Sequence, residues 1–203
     1  MVKTYISAVS LQGKNDLLKV IYNPVGFELL NNRKTSFPII PVIADSYSKG
    51  DDVKVIVVRT DNQDTPDNYE ILVQELENLG VNKKDIKELI IESSQSKSIG
   101  INLLMNLLDE IPDDSLVYAD ITFGTKPMSA MLLYAMNFIE KIKDSEVEGV
   151  YYGEIPRVNG KPIYEEAKIY DLTEFKNLSD LIDVLKGLDV SDIRKSINEL
   201  FNI

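Results

Sequence analysis

A short polar segment between a predicted strand and a predicted helix carries the side chains best suited to chemistry. It comprises Thr122, Phe123, Gly124, Thr125 and Lys126. Its hydroxyls and its ammonium group can contact phosphate oxygens, and a glycine allows close approach to the backbone. A helix start adds unpaired N–H groups and a positive dipole end, which favour an anion. The segment therefore indicates either an anion-binding turn or a structural turn with a solvated lysine, since it has neither the GxxxxGK[ST] nor the GxGxxG spacing.

Two regular elements are predicted to hold this turn. Residues from Leu116 to Ile121 form a mostly apolar run after a turn, which is typical of a buried parallel strand. Pro127 suits the first turn of a helix. The apolar residues after it recur at three- and four-residue spacing, which predicts an amphipathic helix with a core face of Met128, Met131, Leu132, Ala135, Met136 and Ile139.

Two other polar loops are predicted at the same edge of the sheet. Ser10, Gln12 and Gly13 lie in the loop that runs to Lys14 after the first predicted strand, Lys3 to Ser10. Ser93, Ser94, Gln95 and Ser96 follow the predicted strand from Ile86 to Glu92. Carboxyl ends of parallel strands meet at one edge, where ligands bind in open α/β sheets. The first loop is a ligand loop or an ordinary surface loop, and the serine-rich loop caps a helix or contacts ribose and phosphate.

An aromatic residue near a glycine ends a later predicted strand. Tyr152 precedes Gly153 at the end of the strand from Val147 to Tyr152. An aromatic ring at such a position either stacks on adenine or packs at the strand end.

The composition removes several kinds of chemistry. The chain has no cysteine and no histidine, so thiolate catalysis, disulfides and the commonest general base and metal ligand are excluded. We expect no metal and no cofactor. The net charge of −11 argues against binding of DNA or long RNA, although a local pocket can still attract a small anion. No apolar run approaches the roughly 20 residues that span a bilayer, so we expect a cytoplasmic protein with no membrane contact.

Strand and helix patterns alternate along most of the chain. The strongest strand signal is Val53 to Val58, followed by helices predicted over Pro66 to Leu79 and Ile99 to Ile111, the second with Ile101, Leu104, Met105 and Leu108 inward. Asn23 to Gly26 reads as a turn. Arg157 to Pro162 reads as a hairpin turn through Asn159-Gly160, from which the chain returns in Ala167 to Leu172. The alternation predicts an α/β fold: an open, mainly parallel sheet with helices on both faces and an antiparallel edge hairpin.

The pattern changes near the carboxyl end. We predict one domain over residues 1–175 and a helical extension over 176–203, with a first helix that ends at Gly187. The extension is interpreted as a dimer cap, a linker or a boundary with an effector domain.

The run from Asp120 to Ser129, DITFGTKPMS, resembles a known signature. It is similar to the Thr-Gly-Gly-Thr-Lys motif, often continued as Pro-Met-Ser, of CARF domains, the CRISPR-associated Rossmann-fold sensors of type III systems. Phe123 stands where that family usually has its first glycine. By the order of elements, the resemblance extends loosely over roughly the first 175 residues.

The resemblance implies a Rossmann-like fold, a homodimer and a cyclic oligoadenylate ligand, with cyclic tetra-adenylate as the expected ring. It implies that Lys126, with the backbone at Gly124 and Thr125, holds phosphate. Ser10, Gln12 and the Ser93–Ser96 loop would reach ribose or base. A further hypothesis is that the chain is the sensor part of a larger protein, with an effector domain that is fused elsewhere or missing.

Some CARF domains also cleave their ligand as metal-independent ring nucleases. There the ribose 2′-OH attacks the neighbouring phosphate and leaves a 2′,3′-cyclic phosphate end. By resemblance, Lys126 would neutralise the transition state while Ser10 and Thr122 or Thr125 orient oxygens. The sequence is compatible with both sensing and cleavage. A flavodoxin-like mononucleotide enzyme unrelated to CRISPR is the alternative, and a copurified flavin would indicate it.

Overall fold

The chain alternates strands and helices through most of its length. The computed structural model describes residues 1–13, 15–185 and 189–201. The strands are β1 (Val2–Ala8), β2 (Val20–Ile21), β3 (Asn23–Val25), β4 (Lys34–Thr35), β5 (Val53–Thr60), β6 (Ile86–Ile91), β7 (Ser115–Asp120), β8 (Glu146–Glu154), β9 (Arg157–Val158), β10 (Lys161–Pro162) and β11 (Lys168–Asp171). The helices are α1 (Ile39–Ser46), α2 (Thr65–Asn78), α3 (Lys97–Glu110), α4 (Lys126–Ile142), α5 (Thr173–Leu185) and α6 (Val190–Phe201).

Seven strands form the main sheet in the order β3-β11-β8-β7-β1-β5-β6. The central strands β8, β7, β1, β5 and β6 are parallel, whereas β11 runs antiparallel to β8. The predicted Rossmann-like α/β fold is therefore confirmed. After β1 the chain builds the sheet in one direction through β5 and β6, and β7 then returns to the other side of β1. The switch point of the sheet lies between β1 and β7, which is where such folds bind ligands.

Each face of the sheet is covered by its own helices. Successive residues of β1 point to opposite faces of the sheet, and Tyr5 and Ile6 accordingly belong to separate buried clusters. The Tyr5 cluster contains side chains of α1 and α2, and the Ile6 cluster contains side chains of α3 and α4. Because both faces are buried, residues 55–58 of β5 form an unbroken apolar run.

One predicted turn is a strand in the structure. Asn23–Val25 was interpreted as a turn, but it pairs in parallel with β11 and forms one edge of the main sheet. Pro24 has no N–H to donate, and an edge strand tolerates this because one side of its backbone has no partner strand. The predicted hairpin turn is confirmed: β9 pairs antiparallel with β10, and Asn159 and Gly160 have φ values of 51° and 79°. The returning strand β11 pairs antiparallel with β8 as predicted, but β3 and not β11 forms the edge of the sheet.

The inward face predicted for α3 was partly wrong. Leu104 is buried as predicted, but Ile101 and Met105 are 44% and 52% exposed. The residues that reach the core with Leu104 are Leu103 and Leu107. The apolar residues occupy more than one side of this helix, so spacing alone did not identify the buried side.

The predicted boundary at residue 175 falls inside a helix. The α5 helix begins at Thr173, directly after β11, and it packs against α4 and β8. Its Lys176 is buried and forms an ion pair with Glu140 of α4. Gly187, the predicted helix end, lies outside the described residues. None of the helices in the described ranges is long and apolar enough to cross a membrane.

Candidate functional site

A buried carboxylate anchors the predicted anion-binding turn to the sheet. Asp120 ends β7 and has no exposed surface. Its Oδ1 accepts hydrogen bonds from the backbone N–H of Thr122, at 2.9 Å, and from the Thr122 hydroxyl. Its Oδ2 accepts a 3.0 Å hydrogen bond from Ser7 Oγ of β1. Asp120 therefore ties the turn to both strands that border the switch point.

Burial raises the pKa of the Asp120 carboxyl to about 6. The hydrogen bonds from Thr122 and Ser7 favour the charged form and oppose that rise, with a smaller effect of the Ile39 backbone N–H. Desolvation outweighs these donors because no cation lies among the groups that shift this pKa.

The turn requires glycine at position 124 for two reasons. Gly124 has φ 94°, a conformation that L side chains rarely adopt. A Cβ at this position would also collide with the Sδ atom of Met128. The neighbouring Phe123 is partly buried and packs edge-on against Phe37, with the ring centroids 5.7 Å apart. The position where CARF domains usually have glycine is thus occupied by a ring that contributes to the core.

The α4 helix begins directly after the glycine. Thr125 is its N-cap, and the Thr125 hydroxyl accepts a 3.4 Å hydrogen bond from the N–H of Met128. Lys126 is exposed at the first helical position. Within the described ranges, the backbone N–H groups of Gly124, Thr125 and Lys126 donate to no protein acceptor. Three free donors, a helix dipole and an ammonium group therefore meet at this point, as a bound anion requires.

Two clefts flank the turn. The first, the hairpin cleft, has a volume of about 540 Å³ and lies between the turn, the loop after β1 and the β9–β10 hairpin. Among its lining residues are Gln12, Tyr22, Thr122, Phe123, Gly153 and Arg157. The second, the α3–α4 cleft, has a volume of about 170 Å³ and lies between the amino-terminal ends of α3 and α4. Thr125 and the Ser93–Ser96 loop line it.

The structure brings together only part of the predicted residue set in each cleft. Thr122, Phe123 and Gln12 share the hairpin cleft, whereas Ser93, Ser94, Gln95, Ser96 and Thr125 share the α3–α4 cleft. Lys126 lines neither cleft, although Thr125 and Pro127 on either side of it line the α3–α4 cleft. A ligand that contacts all the predicted residues would therefore have to extend across the start of α4.

The loop after β1 is held by its own hydrogen bonds. Ser10 is fully buried, and its Oγ accepts a 3.1 Å hydrogen bond from the N–H of Gln12. Asn68 of α2 donates to the carbonyl oxygens of both Ser10 and Gln12, at 2.9 and 2.8 Å. In this arrangement Ser10 shapes the loop and Gln12 faces the hairpin cleft. The carbonyl oxygen of Gly13 accepts a 2.9 Å hydrogen bond from the N–H of Asp16.

The serine-rich loop is tied to the end of β5. Asp61 accepts hydrogen bonds from both the N–H and the hydroxyl of Ser93, and these bonds lower the pKa of the Asp61 carboxyl. Ser96 is the N-cap of α3, but its side chain makes no capping hydrogen bond and lies 2.9 Å from the Ser98 hydroxyl. The capping interpretation of this loop therefore holds for the backbone position of Ser96 only.

Tyr152 lies apart from both clefts. It is 40% exposed on β8, opposite Tyr170 of β11. The next residue, Gly153, lines the hairpin cleft instead, and its N–H donates a 2.7 Å hydrogen bond to Thr122 Oγ1. A Cβ on Gly153 would collide with Pro38, so β8 and the start of α1 can approach only because this residue is glycine.

Several residues of the site were not identified from the sequence. Asp120 belongs to the quoted motif, but its anchoring role depends on the pairing of β7 with β1. Arg157 brings a cation to the hairpin cleft from a distant hairpin. Thr60 reaches the α3–α4 cleft from the end of β5, and no pattern in the sequence marks it. No group of acidic side chains within the described residues could hold a metal ion.

The chain is similar in sequence to a curated protein and in fold to solved structures. No protein-family model matches the chain. A CRISPR-associated protein of Methanocaldococcus jannaschii is 25% identical in an alignment of 112 positions, which covers 49% of this chain and 18% of the relative. The structure of Enterococcus italicus Csm6 bound to cyclic hexa-2′-fluoro-hexa-dAMP aligns with 97% of this chain and 43% of that chain, at 11% identity and a TM-score of 0.42.

This chain therefore spans less than a fifth of the relative and less than half of Csm6. The sequence similarity confirms the link to CRISPR-associated proteins that residues 120–129 indicated.

Proposed function

We propose that this chain binds a cyclic oligoadenylate as a sensor in type III CRISPR signalling, in the cytoplasm. The observation that carries the proposal is the start of α4 at the switch point of the sheet, where Gly124, Thr125 and Lys126 offer free N–H groups and one exposed ammonium group. The CARF-like sequence of residues 120–129 and the CRISPR-associated relative support the choice of ligand.

The phosphates of the ring would lie at this helix start. A phosphate there gains hydrogen bonds from the backbone and a charge-assisted contact from Lys126. The rest of the protein is acidic, so long polyanions are repelled while one local cationic site remains available. We take cyclic tetra-adenylate as the ring.

A homodimer would supply the second half of the site. The outer surfaces of α3 and α4, which pack together, expose apolar side chains: Ile101, Met105, Tyr134, Phe138 and Ile142. Pairing two copies through this α3–α4 face would bury these side chains and bring two α4 starts toward one axis. A ring of identical nucleotides suits such a pair, because each copy presents the same loops.

The same site would support ring cleavage as a second activity. Lys126 would stabilise the charge that develops when a ribose 2′-OH attacks the neighbouring phosphate. Thr122 contributes a hydroxyl at the turn, already held by Asp120 and Gly153, and Ser10 shapes the adjoining loop. This route needs no metal, histidine or cysteine.

Calorimetric titration with cyclic tetra-adenylate tests the proposal. We expect saturable binding by the native chain and loss of binding in Lys126→Ala.

A further inference from the structure

The α3–α4 cleft contains a buried hydroxyl with no partner. Thr60, the last residue of β5, is 2% exposed and lines this cleft. Its Oγ1 has no hydrogen-bond partner within the described part of the chain. A buried hydroxyl left unpaired is energetically unfavourable, so a ligand group that pairs with it would recover part of that energy.

The remaining deep lining of the cleft is apolar. It comprises Ile91, Ile99, Leu103, Met128 and Met131. Methionine thioethers make favourable contacts with aromatic rings. The charged side chains that line the cleft, Glu92 and Lys97, belong to the exposed loop and the start of α3. A phosphate would therefore lose its solvation in the depth of this cleft without gaining a buried cation there.

The size of the cleft indicates one planar ring system. Its volume of about 170 Å³ corresponds to roughly six water molecules at about 30 Å³ each. A whole nucleotide is too large for that space, whereas a heteroaromatic base is not. A hydroxyl both donates and accepts, so Thr60 Oγ1 can pair with a ring nitrogen or with an exocyclic amino group.

We propose that the α3–α4 cleft is a pocket for an adenine base, with Thr60 Oγ1 hydrogen-bonded to the edge of the base. The sugar and phosphate attached to that base would leave the cleft past Thr125 and reach the free N–H groups at the start of α4. That the base belongs to a cyclic oligoadenylate rests on the proposed function. The pocket itself requires only an adenine nucleotide.

Two variants of the full chain test the pocket. Thr60→Val keeps the shape and removes the hydroxyl, so we expect binding weakened by about threefold to tenfold. Thr60→Ser keeps the hydroxyl and should stay within about twofold of the native chain. Gly100→Leu fills the cleft, since a Cβ at Gly100 already lies 3.1 Å from Met131 Cε, and it should weaken binding at least as much as Thr60→Val.

Thr4→Val is the matched control. Thr4 is equally buried, but it lies toward the amino-terminal end of β1, away from the carboxyl ends of the strands where the clefts lie. Its hydroxyl donates a hydrogen bond to Ser115 Oγ. We expect no effect on binding. The melting temperature of each variant shows whether it is folded. The Thr60 pair remains informative if Gly100→Leu does not fold.

Each variant is titrated with cyclic tetra-adenylate by calorimetry and with AMP by ligand-observed NMR. If Thr60→Val weakens the binding of both ligands, the result supports the pocket and the proposed function together. If the native chain binds AMP but not the ring, and Thr60→Val weakens AMP binding, the result supports the pocket and overturns the cyclic ligand. If neither Thr60→Val nor Gly100→Leu changes the affinity for the ring, the pocket is overturned and the proposed function stands. Absence of binding of either ligand by the native chain overturns both.

Discussion

The hydroxyl of Ser7 donates a 3.0 Å hydrogen bond to the carboxylate of Asp120, and the two residues are paired across β1 and β7. The same carboxylate accepts hydrogen bonds from the backbone and the side chain of Thr122. A single buried group thus fixes the conformation of the turn relative to the switch point. The start of α4, where we place the phosphate, follows that turn after Gly124.

The Asp120 carboxylate should make stability depend on pH. Its pKa is raised from 3.8 to about 6, so the folded state binds a proton more tightly than the unfolded state does. This group therefore stabilises the fold fully below about pH 4, and the stabilisation is lost as the pH rises to about 6. The loss is on the order of 3 kcal/mol. In Asp120→Asn this component should be absent.

Urea unfolding of both proteins at several pH values between 4 and 8 measures the effect. The difference between the two unfolding free energies isolates Asp120, because the other carboxyl groups are common to both proteins. We expect the native chain to lose stability relative to Asp120→Asn as the pH rises from about 4 to about 6, and to lose no more above that. A difference that is constant over this range would contradict the raised pKa.

Gly124→Ala should destabilise the fold by more than backbone strain alone. Gly124 and Gly50 both have positive φ, at 94° and 109°, but only at Gly124 would a Cβ collide with another side chain, that of Met128. We expect Gly50→Ala to lower the free energy of unfolding by roughly 1 kcal/mol. We expect Gly124→Ala to lower it by roughly 1–3 kcal/mol more than Gly50→Ala does. Denaturant titration measures both. Equal losses would show that Met128 moves aside freely.

The α3–α4 face should carry the dimer. Phe138 is 45% exposed in the carboxyl-terminal half of α4, so Phe138→Glu would place a charge within the proposed contact. We expect the native chain to sediment as a dimer and this variant as a monomer with weakened ring binding. Leu30→Glu changes a side chain that is 84% exposed elsewhere and should leave the dimer intact. A dimeric Phe138→Glu variant would exclude this face as the contact.

Ring cleavage, if the site supports it, should need no metal. Incubation of cyclic tetra-adenylate with the native chain in EDTA should give linear products with 2′,3′-cyclic phosphate ends, resolved by chromatography and mass spectrometry. Thr122→Val should reduce the rate, because the valine cannot orient an oxygen and leaves the N–H of Gly153 without its acceptor. Intact ligand after prolonged incubation with saturating native protein would identify a sensor without nuclease activity.

The central part of the fold was predictable because its signals are local. Val53–Thr60 and Ser115–Asp120 are apolar runs bounded by turns, and they form central strands as expected. The α4 start was predictable because Gly124 and Pro127 mark it in the sequence. Asn23–Val25 was not, because its edge position depends on pairing with β11, far away in the chain.

The arrangement of the site was less predictable than its composition. Sequence order placed the Ser93–Ser96 loop and Thr122 at one edge of the sheet, but it could not show that they line different clefts. Thr60 ends an ordinary apolar strand, and only the packing of α3 and α4 around its hydroxyl makes it a candidate ligand contact. Arg157 reaches the hairpin cleft through the path of the chain after β8, which no local pattern encodes.

The binding of cyclic tetra-adenylate to Lys126→Ala, measured by calorimetry beside the native chain, is the sharpest test of the phosphate site. Lys84→Ala is the matched control, since it removes an equal charge from an exposed site at the opposite edge of the sheet. We predict saturable binding by the native chain and by Lys84→Ala, and no detectable binding by Lys126→Ala. Near-native affinity in Lys126→Ala would contradict the assignment of the α4 start as the phosphate site.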